Sequence, residues 1–457
     1  MRTRNAAITI AILLLLVVSG TAYHALATAA SKRTMPEPAL LSQEYLKGSM
    51  QGSSGIALDL NSDGNEDIVV GAPYASHKGS SGCLVLYFAN PKGFSEGRST
   101  FIKGEGNLGW SLVALGDMDG DGKGYFAASA VNGSGDNASL SGTVIVYKGG
   151  HKPREVIVLE GENALDRFGF TMTSGDLNGD SKPDLIVGAP LHSPSPSLYQ
   201  QGAVYVYFGP GYSPASAVKI PATPSLSGVG FSLAAGDINN DNVDDLLIGA
   251  SGKVVGYYGG SSFPSPSPDV NFTSRDGGFG RSVAVIWDMD QDGFRDVAVG
   301  AYQAVINGVS DVGRLFILKG GSGARTVNAD LASPDRLARV DGELNSGQFA
   351  SKVASLRDAS GNNILAVSAV HADGNPWLMT GKIFLFSGND LTTGTPLASV
   401  SAIPGESKDM HLGTFVAAVA GKWGKWLAAG APTDDTNTGS VRLFGLSLSG
   451  QYMITEK

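Results

Sequence analysis

The sequence predicts an all-β fold over residues 41–457: a seven-bladed β-propeller of four-stranded blades, closed by an N-terminal strand. Three observations predict it. A four-residue signature recurs seven times: Val70-Gly71-Ala72-Pro73, Ala128-Ser129-Ala130-Val131, Val187-Gly188-Ala189-Pro190, Ile248-Gly249-Ala250-Ser251, Val299-Gly300-Ala301-Tyr302, Val367-Ser368-Ala369-Val370 and Ala429-Gly430-Ala431-Pro432. Successive signatures lie 58, 59, 61, 51, 68 and 62 residues apart, a period just under 60 whose variation is loop length. Around each signature, short apolar runs and turns follow one order, and four strands per unit repeated seven times is the arithmetic of a radial array.

The first strand of a unit starts at a glycine, as in Gly169-Phe-Thr-Met-Thr-Ser and Gly230-Phe-Ser-Leu-Ala-Ala. After an Asp-rich turn, a continuous apolar run enters the signature, as in Asp184-Leu-Ile-Val-Gly-Ala; such runs suit strands covered on both faces. A variable loop leads to an aromatic-rich third strand, such as Ala203-Val-Tyr-Val-Tyr-Phe208, and then to a weaker fourth strand. The small Gly-Ala pair suits the crowded zone near the axis. Leu41–Gly48 resembles the fourth strand of other units, such as Val156–Gly161, while the last unit runs out after Phe444. The N-terminal segment is therefore expected to supply the outer edge of the last blade.

Composition agrees. Glycine, at 63 of 457 residues, is about twice its usual share, and no heptads or long helical patterns accompany it, so the glycines mark turns between strands. Cys83 is the only cysteine, which excludes an internal disulfide and a CxxC metal site. It reads as a buried apolar filler.

Residues 1–29 have the layout of an export signal: Arg2 and Arg4, an apolar stretch from Ala6 to Val18, and small residues ending near Ala25-Leu-Ala27. The rival reading is a retained membrane anchor, and the short apolar core favours cleavage. Residues 30–40 read as a linker. Either way the rest of the chain is expected to be exported: secreted, periplasmic or at the cell surface, and membrane-bound only if the segment is kept.

The turns between first and second strands carry the chemistry. They read Asp59-Leu-Asn61-Ser-Asp63-Gly-Asn65-Glu-Asp67, Asp176-Leu-Asn178-Gly-Asp180-Ser-Lys182-Pro-Asp184, Asp237-Ile-Asn239-Asn-Asp241-Asn-Val243-Asp-Asp245 and Asp288-Met-Asp290-Gln-Asp292-Gly-Phe294-Arg-Asp296. Oxygen side chains hold positions 1, 3, 5 and 9 each time. Position 7 is Asn65, Lys182, Val243 or Phe294, an indifference that a backbone carbonyl ligand explains. The spacing is that of the first half of an EF-hand loop, suited to Ca2+. Tight turns made by Asp, Asn and Gly are the plain alternative, which four identical spacings weigh against. The ligand positions hold three carboxylates in each of the first three loops and four in the last, against a net charge of −9 for the whole chain. Such crowding is repulsive without a cation, and magnesium, which keeps its waters, fits less well. About four calcium ions are expected. A weaker fifth site is Asp117-Met-Asp119-Gly-Asp121-Gly-Lys123-Gly-Tyr125, where Tyr125 replaces the ninth carboxylate. Asp358-Ala-Ser-Gly-Asn-Asn is truncated and Gly421-Lys-Trp-Gly-Lys has no carboxylate, so the last two blades are expected to be metal-free.

The Phe-Gly start, the Asp-x-Asn/Asp-x-Asp loop and the Gly-Ala-Pro end resemble the FG-GAP repeat of the integrin α-subunit propeller, over residues 41–445. The resemblance implies a seven-bladed propeller, loop-bound calcium, and adhesion or ligand binding on one face. A similar propeller accompanies the catalytic domain of glycosylphosphatidylinositol-specific phospholipase D, which supplies hydrolysis as the alternative. No catalytic domain, inserted adhesion domain or stalk is expected after the repeats. The distribution of loops also departs from integrins, whose calcium loops cluster in later blades.

Other signals carry less. Gly104-Glu-Gly106-Asn-Leu-Gly109 matches G-x-G-x-x-G but leads into a strand, so no nucleotide is expected, nor nucleic acid. The six histidines are scattered, mostly in loops, and read as solvated. No catalytic residue is nominated and the chain is expected to be a binding protein. Its partner, a protein or glycan, would meet the face opposite the calcium turns, through loops such as Tyr74–Ser81, Asn132–Ser141, Leu191–Gln201 and Gln303–Val312.

Overall fold

The computed structural model describes residues 48–445, apart from 78–79, 135–138, 196, 198, 225, 344–346, 358–360, 373–378, 388–400, 406–409, 423 and 434–438. The expected signal segment 1–29, the linker 30–40 and the closing strand Leu41–Lys47 lie outside the described residues, as does the start of the truncated Asp358 turn.

Strands follow the repeats. The first unit is β1 (Ser54–Leu58), β2 (Asp67–His77), β3 (Ser80–Asn90) and β4 (Gly93–Lys103). The second is β5 (Leu108–Gly116), β6 (Tyr125–Ala130), β7 (Thr143–Lys148) and β8 (Arg154–Glu160). The third is β9 (Thr171–Gly175), β10 (Asp184–Ala189), β11 (Ala203–Tyr207) and β12 (Val218–Pro221). The fourth is β13 (Ser232–Gly236), β14 (Asp245–Ala250), β15 (Lys253–Tyr257) and β16 (Val270–Thr273). The fifth is β17 (Phe279–Val285), β18 (Val297–Ala301), β19 (Arg314–Leu318), an inserted β20 (Arg325–Asn328) and β21 (Arg336–Asp341). The sixth is β22 (Phe349–Arg357), β23 (Asn363–Ala369), β24 (Lys382–Ser387) and β25 (Ser401–Pro404), and the last is β26 (Val416–Gly421), β27 (Gly424–Ala431) and β28 (Ser440–Gly445). Each is an antiparallel meander, with Leu185 of β10 opposite Ser174 of β9 and Tyr207 of β11. The fold is an all-β propeller.

Three details differ from seven separate four-stranded sheets. Among the described residues the strands form six hydrogen-bonded sheets, because β1–β4 and β5–β8 join into one of eight strands through a single parallel bridge, Gly82 to Leu108. The fourth unit gains a parallel edge strand, β20, borrowed from the loop of the fifth. β26–β28 form a three-stranded sheet among the described residues.

The core lies between units. β10 and β14 are buried at every position, as strands covered on both faces must be. Val70 and Cys83 of the first unit pack with Val419 and Ala428 of the last, so the array closes on itself. The signature glycines explain how tightly. A Cβ on Gly71 would stand 1.9 Å from the Gly109 carbonyl oxygen, and one on Gly249 1.9 Å from that of Gly280. These signatures thus rest on the opening glycine of the next unit, and in the fifth Gly300 rests on Ala350 instead. Ser54 Oγ donates to Gly109 O at 2.8 Å, Thr171 Oγ1 to Gly230 O at 2.9 Å and Ser232 Oγ to Gly280 O at 2.7 Å, tying the same seams.

Candidate functional site

The four complete acidic loops share one conformation with the Asp117 loop. Positions 4 and 6 take left-handed backbone in all five: Ser62 and Gly64, Gly120 and Gly122, Gly179 and Ser181, Asn240 and Asn242, Gln291 and Gly293. Gly, Asn and short polar residues tolerate such φ values, which is why these types recur there. The position-1 aspartate organises the turn. Asp176 accepts from the amides of Gly179, Asp180 and Ser181 at 2.7–3.0 Å, and Asp237 and Asp288 accept from the equivalent amides of positions 5 and 6. Position 5 accepts from the amide of position 7, as Asp63 does from Asn65 and Asp241 from Val243. A position-7 residue therefore has its amide engaged whatever its side chain.

Position 9 is the anchor. Asp67, Asp184, Asp245 and Asp296 are fully buried. Each accepts from the amide of loop position 2 (Leu60, Leu177, Ile238, Met289) and from an amide at or just past the end of the third strand (Ala89, Gly209, Gly259, Gly320). Burial pushes the pKa of Asp67, Asp245 and Asp296 up to about 7 and that of Asp184 to about 6; the amides oppose this and the other loop carboxylates add to it.

A hard cation fits this donor set. Carboxylate oxygens of Asp288, Asp290 and Asp296 lie within 4.8 Å of one another, and Asp290 Oδ1 is buried without a hydrogen-bond partner. In the other complete loops position 3 is Asn61, Asn178 or Asn239, so the amide oxygen takes that place. The Asn61 and Asn178 oxygens accept from the position-5 amides, Asp63 and Asp180, at 3.0 Å.

Two lysines at the ends of third strands bear on the loops, and sequence reasoning missed both. Lys148 Nζ contacts Asp119 and lies 2.8 Å from Asp121, while Tyr125 donates to Asp119 at 3.0 Å. The ammonium holds both carboxylates below their usual range. Lys319 occupies the corresponding place in the fifth unit, touching Asp290 and lying 3.3 Å from Asp292. In the other units with acidic loops this place is Phe88, Phe208 or Tyr258, immediately before the residue whose amide meets position 9. A Lys-Gly-Gly run at the end of the third strand was the available signal.

Histidine 192 departs from expectation. It is buried, not solvated, with Nδ1 2.7 Å from Asp166 Oδ2. It fixes the loop after the third signature, where Ala75, Gly133, Ala304 and Ala372 stand in four other units. Cys83 is buried as expected.

At the end of the first strands away from the acidic turns lies a cavity of about 470 Å³ on the axis, lined by the opening residues of every unit. Its wall is uneven. Tyr74, Trp110, Phe170 and Phe231 form a chain of rings, with successive centroids 6.5, 5.5 and 5.6 Å apart. The Arg281 guanidinium continues the chain, 3.6 Å over the Phe231 ring, and Lys352 follows in the next unit. Of the loops expected to meet a partner, Tyr74 reaches this wall. Residues 78–79, 135–138, 196 and 198 of those loops lie outside the described residues.

Comparison with known proteins places these units. A family profile described as FG-GAP repeat matches residues 51–82, 168–207, 229–262 and 279–318, the four units with complete acidic loops. Over 240 residues, 49% of this chain and 23% of the relative, the sequence is 30% identical to mouse (Mus musculus) integrin alpha-IIb. It is 33% identical to human (Homo sapiens) integrin alpha-7 over 41% of this chain and 17% of the relative. It is 32% identical to bovine (Bos taurus) phosphatidylinositol-glycan-specific phospholipase D over 45% of this chain and 20% of the relative. The chain thus spans about a fifth of the length of these relatives. It carries FG-GAP repeats, and through them it is related to integrin α subunits at about 30% identity.

Proposed function

We propose that this chain is an extracytoplasmic ligand-binding or adhesion module whose calcium ions are structural. The observation that carries the reading is the Asp288 loop, where three carboxylates converge and Asp290 Oδ1 is buried without a partner. Asp288, Asp290, Asp292 and Asp296, with the Phe294 carbonyl, would hold one ion, and the equivalent residues of the Asp59, Asp176 and Asp237 loops three more. The ion would supply counter-charge to clustered carboxylates and so stiffen the hairpin. The Asp117 loop is left out of this count, because Tyr125 stands where the other loops have their buried ninth carboxylate, and Lys148 pairs with the two carboxylates Asp119 and Asp121. In this reading the eight-stranded sheet counts as two blades, β1–β4 and β5–β8, giving seven. Hydrophobic clusters shared by each successive pair of units, and by the last with the first, support that number.

Binding is favoured over hydrolysis by the lining of the axial cavity, which among the described residues holds no His, Asp or Glu to act as acid or base. No helix among the described residues is long and apolar enough to cross a membrane. Export rests on the N-terminal segment. The discriminating experiment exports the full chain and follows melting and hydrolysis of a glycosylphosphatidylinositol substrate with and without chelator. A calcium-dependent melt with no hydrolysis supports the reading. Hydrolysis lost with Asp241→Ala in folded protein would overturn it.

A further inference from the structure

The wall of the axial cavity has two unlike parts. Around one part of it run the rings of Trp110, Phe170 and Phe231; Arg281, over the Phe231 ring, and then Lys352 continue the wall in the fifth and sixth units. Among the described residues no carboxylate lines the cavity and neither cation forms an ion pair with one. Arg281 offers its flat face to Phe231, which leaves its N–H edge for another acceptor. Lys352 sits where the corresponding residues are Ser54, Ser111, Thr171, Ser232 and Ser282. It pairs with Ser368 of the signature as Ser54 pairs with Gly71. Water reaches it along the channel, yet protein surrounds it, and desolvation lowers its pKa.

The hydroxyls of the lining point the same way. Ser54, Thr171 and Ser232 already donate their protons to the carbonyls of Gly109, Gly230 and Gly280. Toward the cavity they can only accept. A ligand here gains from an anionic group near Arg281 and Lys352, a flat apolar face against the rings, and O–H donors for the hydroxyl oxygens. A peptide backbone brings carbonyl acceptors that these committed hydroxyls cannot satisfy. The volume of about 470 Å³ lies in the range of small-ligand sites.

We infer that the axial cavity binds an acidic sugar, its carboxylate held between Arg281 and Lys352 and its ring packed against the aromatic wall at Trp110 and Phe170. The inference rests on the binding-module reading and gives that module a ligand class.

Isothermal titration of the full chain in calcium tests it, with tri-galacturonic acid, the methyl ester of the same trisaccharide and a Glu-rich hexapeptide as probes. The acid should bind, with the ester at least ten-fold weaker. Arg281→Gln and Lys352→Met should each weaken the acid about ten-fold without moving the ester, and Trp110→Ala should weaken both sugars. Melting in calcium, run on the same samples, should match the unmodified protein for Arg281→Gln and Lys352→Met, and should stay cooperative at a lower midpoint for Trp110→Ala. Equal affinity for acid and ester, no binding of the acid, or tighter binding of the peptide overturns the inference while a calcium-responsive melt leaves the structural-calcium reading standing. A melt that ignores calcium overturns that reading instead.

Discussion

Thr414 Oγ1 donates a 2.7 Å hydrogen bond to the carbonyl oxygen of Gly52, 362 positions earlier in the chain. Gly430 lies against the same carbonyl: a Cβ there would stand 2.1 Å from the Gly52 oxygen. A parallel bridge from Gln51 to Gly439 runs beside them. These contacts close the array between its last and first units. Gly430→Ala should therefore cost about 1–3 kcal/mol by overpacking a seam made of backbone. Gly211→Ala, with nothing within 4 Å of the added methyl, serves as the control and should be near neutral. Urea unfolding of the two variants checks the difference. Equal midpoints would mean the seam is slack.

Asp241→Ala should remove one calcium equivalent and leave the other loops loaded. In calcium at 100 times Kd the loss should be about 2.7 kcal/mol. In chelator the variant and the unmodified protein should melt much closer together. A variant equally destabilised with and without calcium would show that Asp241 works only through its bonds to the Val243 amide and within the turn.

Lys319 competes for the Asp290 and Asp292 carboxylates. Lys319→Met should raise the calcium affinity of that loop roughly five-fold, about 1 kcal/mol for a partly exposed ion pair. Titration with a calcium indicator reads this as one site moving to tighter binding. No change would show that the ammonium swings clear when calcium enters.

The position-9 aspartates give a pH dependence of known sign. Their folded pKa values, about 6 for Asp184 and about 7 for Asp67, Asp245 and Asp296, lie above the ordinary 3.8. In metal-free protein their contribution is fully present below about pH 4 and is lost as pH rises through 6 to 7. Calcium binds the ionised form, so the melting shift between calcium and chelator should grow from pH 5 to pH 7.5. A shift of the same size at both pH values would contradict this.

The repeat and its acidic turns were legible because both depend on residues close in sequence. The alternation of left-handed positions 4 and 6 follows from Gly64, Asn240 and Gly293 and their neighbours. What the sequence hid lies between residues far apart along the chain. Within the second unit Lys148 reaches Asp119 across 29 positions, and Trp110 meets Phe170 only because both follow the opening glycine of adjacent units. Reading the residue after each such glycine, Trp110, Phe170, Phe231 and Arg281, down the repeats would have found the cavity wall. His192 was misread as a solvated loop residue because its partner, Asp166, is 26 positions away. Separate blades were expected where Gly82 and Leu108 stitch two together, since one backbone bridge leaves no side-chain signature.

Calcium stoichiometry of the folded chain, measured by elemental analysis after equilibrium dialysis against low-micromolar calcium, tests the central claim most directly. The account predicts about four ions per chain, with Asp290→Asn lowering the affinity of one and Asp119→Asn changing none. Protein that holds no calcium, or whose count falls with Asp119→Asn and not with changes in the Asp59, Asp176, Asp237 and Asp288 loops, would contradict it.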